Sequence, residues 1–72
     1  MRLTELKEKE EAVVKNLTDK SNTFLKRVEA MGLKKGERLK VEKILGRNIV
    51  VSLEGRKIAL DKALAEKIEV EK

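Results

Sequence analysis

The sequence predicts a mostly β fold: a small barrel of about five strands, with one helix between the first and second strands and a short helical turn before the last. Three observations lead to this prediction. Apolar and polar residues alternate through most of residues 37–60, which is the period of half-buried strands. One apolar stripe, at Phe24, Val28 and Met31, has helical spacing instead. The 72 residues give room for a single domain, 1–72, so the sheet has to bend strongly around one core.

An N-terminal segment and the first strand precede the helix. Leu3 and Leu6 are expected to pack the first residues onto the core. Residues 12–17 (AVVKNL) are partly β-branched and partly alternating, which predicts a short strand. The turn-forming residues at 18–22 (TDKSN) then predict the end of that strand.

The predicted helix has about three turns and packs on the sheet through one narrow face. Ser21 or Asn22 can cap its first turn, because either side chain offers an oxygen to free backbone N–H groups. Leu25 lies about 100° round the helix from Phe24, which places it at the edge of the apolar stripe.

The stretch AMGLKKG at 30–36 could either cradle a phosphate or end one element and start the next. A phosphate loop follows a strand and opens a helix, whereas here a helix enters the stretch and a strand leaves it. Gly32 is therefore expected in the left-handed conformation that commonly ends a helix, and Gly36 in the following turn.

The second half of the chain is predicted to be a run of strands joined by short turns. A phase slip in the alternation at Lys43 indicates a bulge. Asp61 is expected to cap the brief helical turn, and residues 68–70 to form the last strand. Glycines are assigned to the tight turns throughout the chain, namely Gly32, Gly36, Gly46 and Gly55.

The residue types present leave little room for catalysis or for a bound cofactor. The chain has no histidine and no cysteine, which removes the commonest general base, the commonest transition-metal ligand and every disulfide. Its acidic clusters lie among lysines near the two chain ends, with no apolar pocket that would raise a pKa. We therefore predict that the protein is not an enzyme and has no metal site and no cofactor.

The charge of the chain indicates a basic surface. The net charge is +5, and residues 34–47 hold six basic residues against two acidic ones. That excess could meet an acidic partner, a lipid headgroup or a nucleic acid, or it could be a solvated hairpin face. Phe24 is the only aromatic residue, which argues against a nucleic-acid surface because such sheets usually add stacking aromatics.

The hydropathy of the chain predicts no membrane insertion. No apolar run is long enough for a membrane span or for the core of a signal peptide, so we expect a cytoplasmic location. Charged residues make up 43% of the chain, with lysine and glutamate prominent, a bias that is typical of proteins from high-temperature sources.

Three segments of the chain, taken in order, resemble the FeoA family. They are MRLTELKEKEEAVV at 1–14, VEAMGLKKGERLKV at 28–41 and GRKIALDKALAEKIEVE at 55–71. The resemblance covers essentially the whole chain and implies an SH3-like barrel with a helical insertion. It also implies partnership with FeoB, a membrane iron transporter with a cytosolic G-protein domain. The same fold occurs as the C-terminal domain of DtxR-type metal-dependent repressors.

The chain departs from the family pattern at three places. Lys35 stands where the family usually has a proline, and Glu29 stands at a helix position that is often leucine. The turn Gly46-Arg47-Asn48 replaces one that usually resembles Gly-Asp-Pro. These departures leave the expected fold intact, but they weaken a transfer of docking residues from the family.

The resemblance implies a non-enzymatic accessory protein of ferrous iron uptake that binds the cytosolic part of a FeoB-type transporter. Two alternatives stay open. One is a small basic barrel that binds nucleic acid, and the other is a regulatory domain related to the C-terminal domain of DtxR-type repressors. We expect a free-standing chain of 72 residues, which fits the first interpretation better than the last. Self-association is also open.

The candidate docking surface lies on the helix. Leu25, which is off the apolar stripe and flanked by Lys26 and Arg27, would bind an acidic protein surface, with the leucine supplying burial and the charges orientation. Arg47 in the basic hairpin is the next candidate. The alternative is that Leu25 packs beneath the N-terminal segment.

Overall fold

The computed structural model describes residues 1–72 as one antiparallel sheet of five strands with two helices. After a single 3₁₀ turn at Leu3–Glu5, the elements follow in this order: β1 (Glu11–Leu17), α1 (Asn22–Met31), β2 (Arg38–Leu45), β3 (Asn48–Leu53), β4 (Arg56–Asp61), α2 (Lys62–Ala65) and β5 (Ile68–Glu71). The predicted fold class is confirmed, including the long helix between the first two strands and the helical turn before the last.

The strands lie side by side in the order β4-β3-β2-β1-β5. Consecutive strands β2, β3 and β4 form a meander, and β1 pairs with β2 on one side and with β5 on the other. The two edge strands β4 and β5 are joined through α2 rather than by direct pairing. The sheet therefore bends round a single core, with α2 between its two edges.

The core consists of 17 buried residues, all of them apolar, drawn from every strand and both helices. No polar or charged residue is buried. The predicted packing of Leu3 and Leu6 onto this core is confirmed, since at most 2% of either residue is exposed. A domain of this size depends on such burial because it has no disulfide to supplement it.

Helix α1 begins and ends as its sequence predicts. The Ser21 hydroxyl accepts a hydrogen bond from the backbone N–H of Phe24 at 3.3 Å, so Ser21 rather than Asn22 is the cap. The helix ends at Gly32, which has a φ of +86°, and the backbone N–H of Leu33 then donates to the carbonyl of Val28 at 2.8 Å. The glycine thus turns the chain back and places Leu33 under the last turn of the helix.

The predicted bulge in β2 is confirmed. The pairing of β2 with β3 shifts register between Val41 and Lys43. Glu42 is therefore an extra residue in β2 that has no partner in β3. A second shift, between Val14 and Asn16 where β1 pairs with β5, was not predicted, although the spacing of Ala12, Val14 and Leu17 breaks the alternation in the same way. Such irregularities increase the local bend that a five-stranded sheet needs to surround a core.

Candidate functional site

A groove of about 560 Å³ lies between α1, the end of β1 and the segment that leads into β2. We call it the α1 groove. Val28 and Leu33 are both fully buried and form its floor, and the half-buried Leu17 and Leu25 form its walls. Three charged residues complete the lining: Glu29, Lys34 and Lys35. The groove is therefore apolar inside and charged at its rim.

The positions of these side chains follow from local sequence. Val28 belongs to the apolar stripe of α1 and faces the core, whereas Leu25 lies off that stripe and is left at its edge. Leu33 reaches the floor because the left-handed turn at Gly32 folds it back on the helix. The groove is thus a consequence of how the helix ends.

The first turn of α1 is tied to the turn between α2 and β5 by Lys67. Its ammonium lies 2.9 Å from the Asp19 carboxylate and 5.6 Å from the centre of the Phe24 ring. The carbonyl of Lys67 also accepts hydrogen bonds from both the backbone N–H and the hydroxyl of Thr18, at 2.9 and 3.0 Å. These contacts hold the loop that leads into α1 against the turn between α2 and β5.

The carboxyl of Asp19 has a pKa lowered to about 2 from an ordinary value of 3.8. The largest cause is the hydrogen bond that the backbone N–H of Ser21 donates to it, followed by the hydrogen bond from Lys67. The same carboxylate therefore positions the cap of α1 and holds the lysine that lies over Phe24.

The last turn of α1 is held from the β3–β4 hairpin. The guanidinium of Arg56 donates a hydrogen bond to the carbonyl of Met31 at 3.1 Å, one of the carbonyls that a helix end leaves without a partner. The same group lies against Gly32, where an added β-carbon would stand 2.5 Å from Nη2. Both ends of the helix are thus fixed by basic side chains of distant segments.

The electrostatic character of the groove is basic. Lys34 and Lys35 at its rim, like Lys26 and Arg27 on the exposed side of α1, take part in none of the six ion pairs of the chain. The only acidic residue in the lining is Glu29. Two lysines without an ionic partner therefore share the rim with one carboxylate, and two more such cations lie on the exposed side of the same helix, which favours a partner surface of opposite charge.

The structure brings together some of the predicted site residues and separates others. Leu25 forms a wall of the α1 groove, while Lys26 and Arg27 lie on the same helix but outside the lining. Arg47 lies at the β2–β3 turn, where its carbonyl accepts a hydrogen bond from the backbone N–H of Lys62 at 2.8 Å. It belongs to a different surface from the groove.

Neither of the two predicted environments of Leu25 describes it fully. The leucine is half-buried rather than exposed, and it packs against the edge of the core. The groove that it lines contains no residue of the N-terminal segment, whose 3₁₀ turn packs instead against α2 and β5. Leu17, Lys34 and Lys35 were not predicted as neighbours of Leu25. The sequence signal that could have joined them is the helix end at Gly32, which returns the chain to the helix.

Two kinds of feature are absent from the structure. No group of three or more acidic side chains converges in a way that could hold a metal ion. No helix combines the length and the apolar character needed to cross a membrane.

Comparison with known proteins identifies a family and a fold. The FeoA domain family matches residues 1–72. Iron(II) transport protein A from Clostridium thermocellum is 30% identical with a TM-score of 0.91, over 99% of this chain and 44% of that one. The zinc complex of FeoA from Stenotrophomonas maltophilia, described as a prokaryotic SH3-domain protein, is 25% identical with a TM-score of 0.84, over 99% and 89% of the two chains. The predicted SH3-like fold is confirmed.

The same fold occurs within a larger regulator. IdeR from T. acidophilum superimposes with a TM-score of 0.92 at 24% identity, over 99% of this chain and 33% of that one. At this identity the likeness concerns the fold alone. No curated protein sequence matches the chain.

Proposed function

The chain belongs to the FeoA family, and from this premise we propose that it is a cytoplasmic, non-enzymatic accessory protein of ferrous iron uptake. Its partner is the cytosolic part of a FeoB-type GTPase iron transporter. The observation that supports this most directly is the α1 groove, an apolar concavity with a basic rim.

The groove suits a protein segment that carries an apolar side chain next to acidic residues. Leu17 and Leu25 would bury such a side chain against the fully buried floor of Val28 and Leu33. The unpaired lysines at the rim would steer the acidic residues of the partner and fix the orientation of the complex. Because both ends of α1 are held by Asp19–Lys67 and Arg56 contacts, the groove is formed before a partner arrives.

The proposal is tested by titrating the protein into the purified cytosolic domain of the cognate transporter, with and without guanine nucleotide. Leu25→Ala should weaken binding roughly tenfold or more, as expected when an anchor in a concave site is truncated. Leu45→Ala, which removes a leucine outside the groove, is the matched control and should bind as the unchanged protein does. Absence of binding in every nucleotide state, or equal binding by both variants, would contradict the proposal.

A second candidate function is a regulatory domain like the one that the metal-dependent repressors carry. The likeness to IdeR favours it at the level of fold. A gene for a FeoB-like transporter next to the gene for this chain would support the accessory role. A neighbouring DNA-binding domain that binds this chain would support the regulatory one.

A further inference from the structure

Leu45 is the most exposed large apolar residue of the chain. It has 51% of its surface accessible, although it lies in a regular strand. It pairs with Asn48 at the last rung of the β2–β3 hairpin, next to the turn that contains Arg47. A leucine at this position contributes little to the core, and it becomes informative only together with the residues that share its face.

The pairing of the strands shows which residues share a face with Leu45. Val50 lies between the buried Ile49 and Val51, so it points away from the core, and its cross-strand partners Lys43 and Ala59 point the same way. Two further rungs of the ladder face outward by the same alternation. We call this surface the outer sheet face and define it by Lys40, Lys43, Leu45, Val50, Lys57 and Ala59.

The outer sheet face is cationic. Lys40, Lys43 and Lys57, together with Arg47 at the adjacent turn, take part in none of the ion pairs of the chain. Three carboxylates share the face, and each is engaged. Glu11, the cross-strand partner of Lys40, lies 3.9 Å from the guanidinium of Arg38. Glu42 accepts a hydrogen bond from the Ser52 hydroxyl at 2.7 Å, and Asp61 accepts one from the backbone N–H of Leu64 at 2.8 Å.

The shape of this face differs from that of a peptide-binding site. It is the convex side of a bent sheet, and of the six residues that define it only Lys40 lines one of the three surface depressions of the molecule. A stable protein partner would need a complementary contact of roughly 800 Å² around a central apolar anchor. An anionic lipid surface needs no such shape, because its headgroups rearrange around lysines while a protruding apolar side chain enters the layer beneath.

We propose that the outer sheet face adsorbs to an anionic lipid bilayer, with Leu45 entering the interface and Lys40, Lys43, Arg47 and Lys57 contacting the headgroups. This contact is peripheral, and it combines the two signals, apolar and cationic, that weak membrane adsorption requires. The inference does not depend on the proposed transporter, because lipid alone is the ligand.

The absence of tryptophan and tyrosine makes the depth of Leu45 directly measurable. Leu45→Trp introduces the only indole, and its emission should shift to shorter wavelength when phosphatidylglycerol-containing vesicles are added. Vesicles of phosphatidylcholine alone should leave it unchanged. Thr23→Trp, which places the same probe on the exposed side of α1, should not respond to either vesicle.

The unlabelled protein supplies the affinity, measured by sedimentation with the same vesicles at low and high salt. Leu45→Ser should weaken binding roughly tenfold, because a polar side chain gains nothing from the interface. Lys43→Glu should weaken it roughly thirtyfold, since each basic group near an anionic surface contributes about a fivefold increase in affinity and this variant reverses one. Lys26→Glu changes the net charge equally and should cost less than about fivefold, because it lies on another surface.

Three results would overturn the proposal. One is that the unchanged protein fails to sediment with anionic vesicles at low salt, which would leave an acidic protein as the partner of this face. Another is equal weakening by Lys43→Glu and Lys26→Glu, which would show that only the total charge matters. The third is that the indole of the Thr23→Trp variant responds to vesicles and that of the Leu45→Trp variant does not, although both variants have the thermal midpoint of the unchanged protein.

Discussion

The α1 groove and the outer sheet face are both basic, but they differ in shape and in how they are held. The groove is concave, its floor is part of the core, and contacts of Lys67 and Arg56 fix both ends of the helix that forms it. The outer sheet face is convex and ends at a hairpin turn from which Leu45 protrudes. The two surfaces are therefore not equivalent, although both are basic.

The difference indicates what each surface can recognise. A concave, preformed site selects a partner by shape, because its floor cannot move without cost to the fold. A convex face with one protruding leucine and flexible lysines selects by charge and by access to an apolar layer. Substitutions in the groove should thus affect stability as well as binding, whereas substitutions on the outer face should affect binding alone.

The largest expected effect is on stability at the floor of the groove. Leu33→Ala should lower the free energy of unfolding by about 2–5 kcal/mol, because the side chain is fully buried and its removal leaves a cavity. Leu45→Ala makes the same chemical change on the outer face and should cost less than about 0.5 kcal/mol. Denaturation by urea measures both. Similar costs at the two positions would remove the distinction between the surfaces.

A smaller effect on the free energy of unfolding is expected at the two turns that lie next to these surfaces. Gly32→Asn should cost about 1–2 kcal/mol, because the residue has a φ of +86° and a β-carbon would displace Arg56 from the helix end. Gly46→Asn, in the turn beside Leu45, should be nearly neutral. There φ is +59°, which asparagine tolerates, and no atom lies within 4 Å of the added carbon. Equal costs in a urea titration would mean that Arg56 contributes nothing to the end of α1.

A pH-dependent loss of stability is expected at the start of α1. The pKa of Asp19 is lower in the folded protein, about 2, than its ordinary value of 3.8. Its contribution is therefore complete above pH 3.8 and is lost as the pH falls through about 2, since the unfolded chain then binds the extra proton more readily. In the Asp19→Asn variant, the thermal midpoint should therefore fall less steeply between pH 3.8 and about pH 2 than it does in the unchanged protein. An unchanged slope would show that other carboxylates account for acid unfolding.

The smallest expected effect is the binding of ferrous iron to the protein itself. Ferrous sites in proteins favour imidazole or thiolate together with carboxylate, and the chain has neither of the first two. Anaerobic calorimetry with Fe(II) should therefore show no stoichiometric site on either surface. A one-to-one isotherm of micromolar affinity would mean that a carboxylate cluster assembles on binding.

The parts of the fold that depend on neighbouring residues could be predicted from the sequence. Ser21, Gly32 and Asp61 act locally, because a cap or a left-handed turn is decided within a few residues. The bulge near Lys43 was also predictable, since it breaks the alternation that a strand otherwise keeps. The SH3-like topology came from the family resemblance rather than from these local patterns, and the order of the strands was not predicted.

The candidate site was predictable only in part, because it depends on contacts between distant segments. Nothing near Arg56 in the sequence shows that its side chain completes the end of α1. Leu25 was predicted either to be an exposed docking residue or to pack beneath the N-terminal segment, yet the structure leaves it half-buried, and the exposed leucine is Leu45. Unbroken alternation from Leu39 and Val41 would place Leu45 on the inner face, and it is the bulge at Glu42 that turns Leu45 outward.

A crossed binding measurement tests the central claim that the two basic surfaces have different partners. The unchanged protein, Leu25→Ala and Leu45→Ala are each titrated against the cytosolic domain of the transporter and against phosphatidylglycerol-containing vesicles. We expect Leu25→Ala to lose roughly tenfold or more in affinity for the transporter domain and nothing in affinity for the vesicles, and we expect the reverse for Leu45→Ala. If either variant remains folded but weakens both interactions to the same extent, the α1 groove and the outer sheet face do not have separate partners.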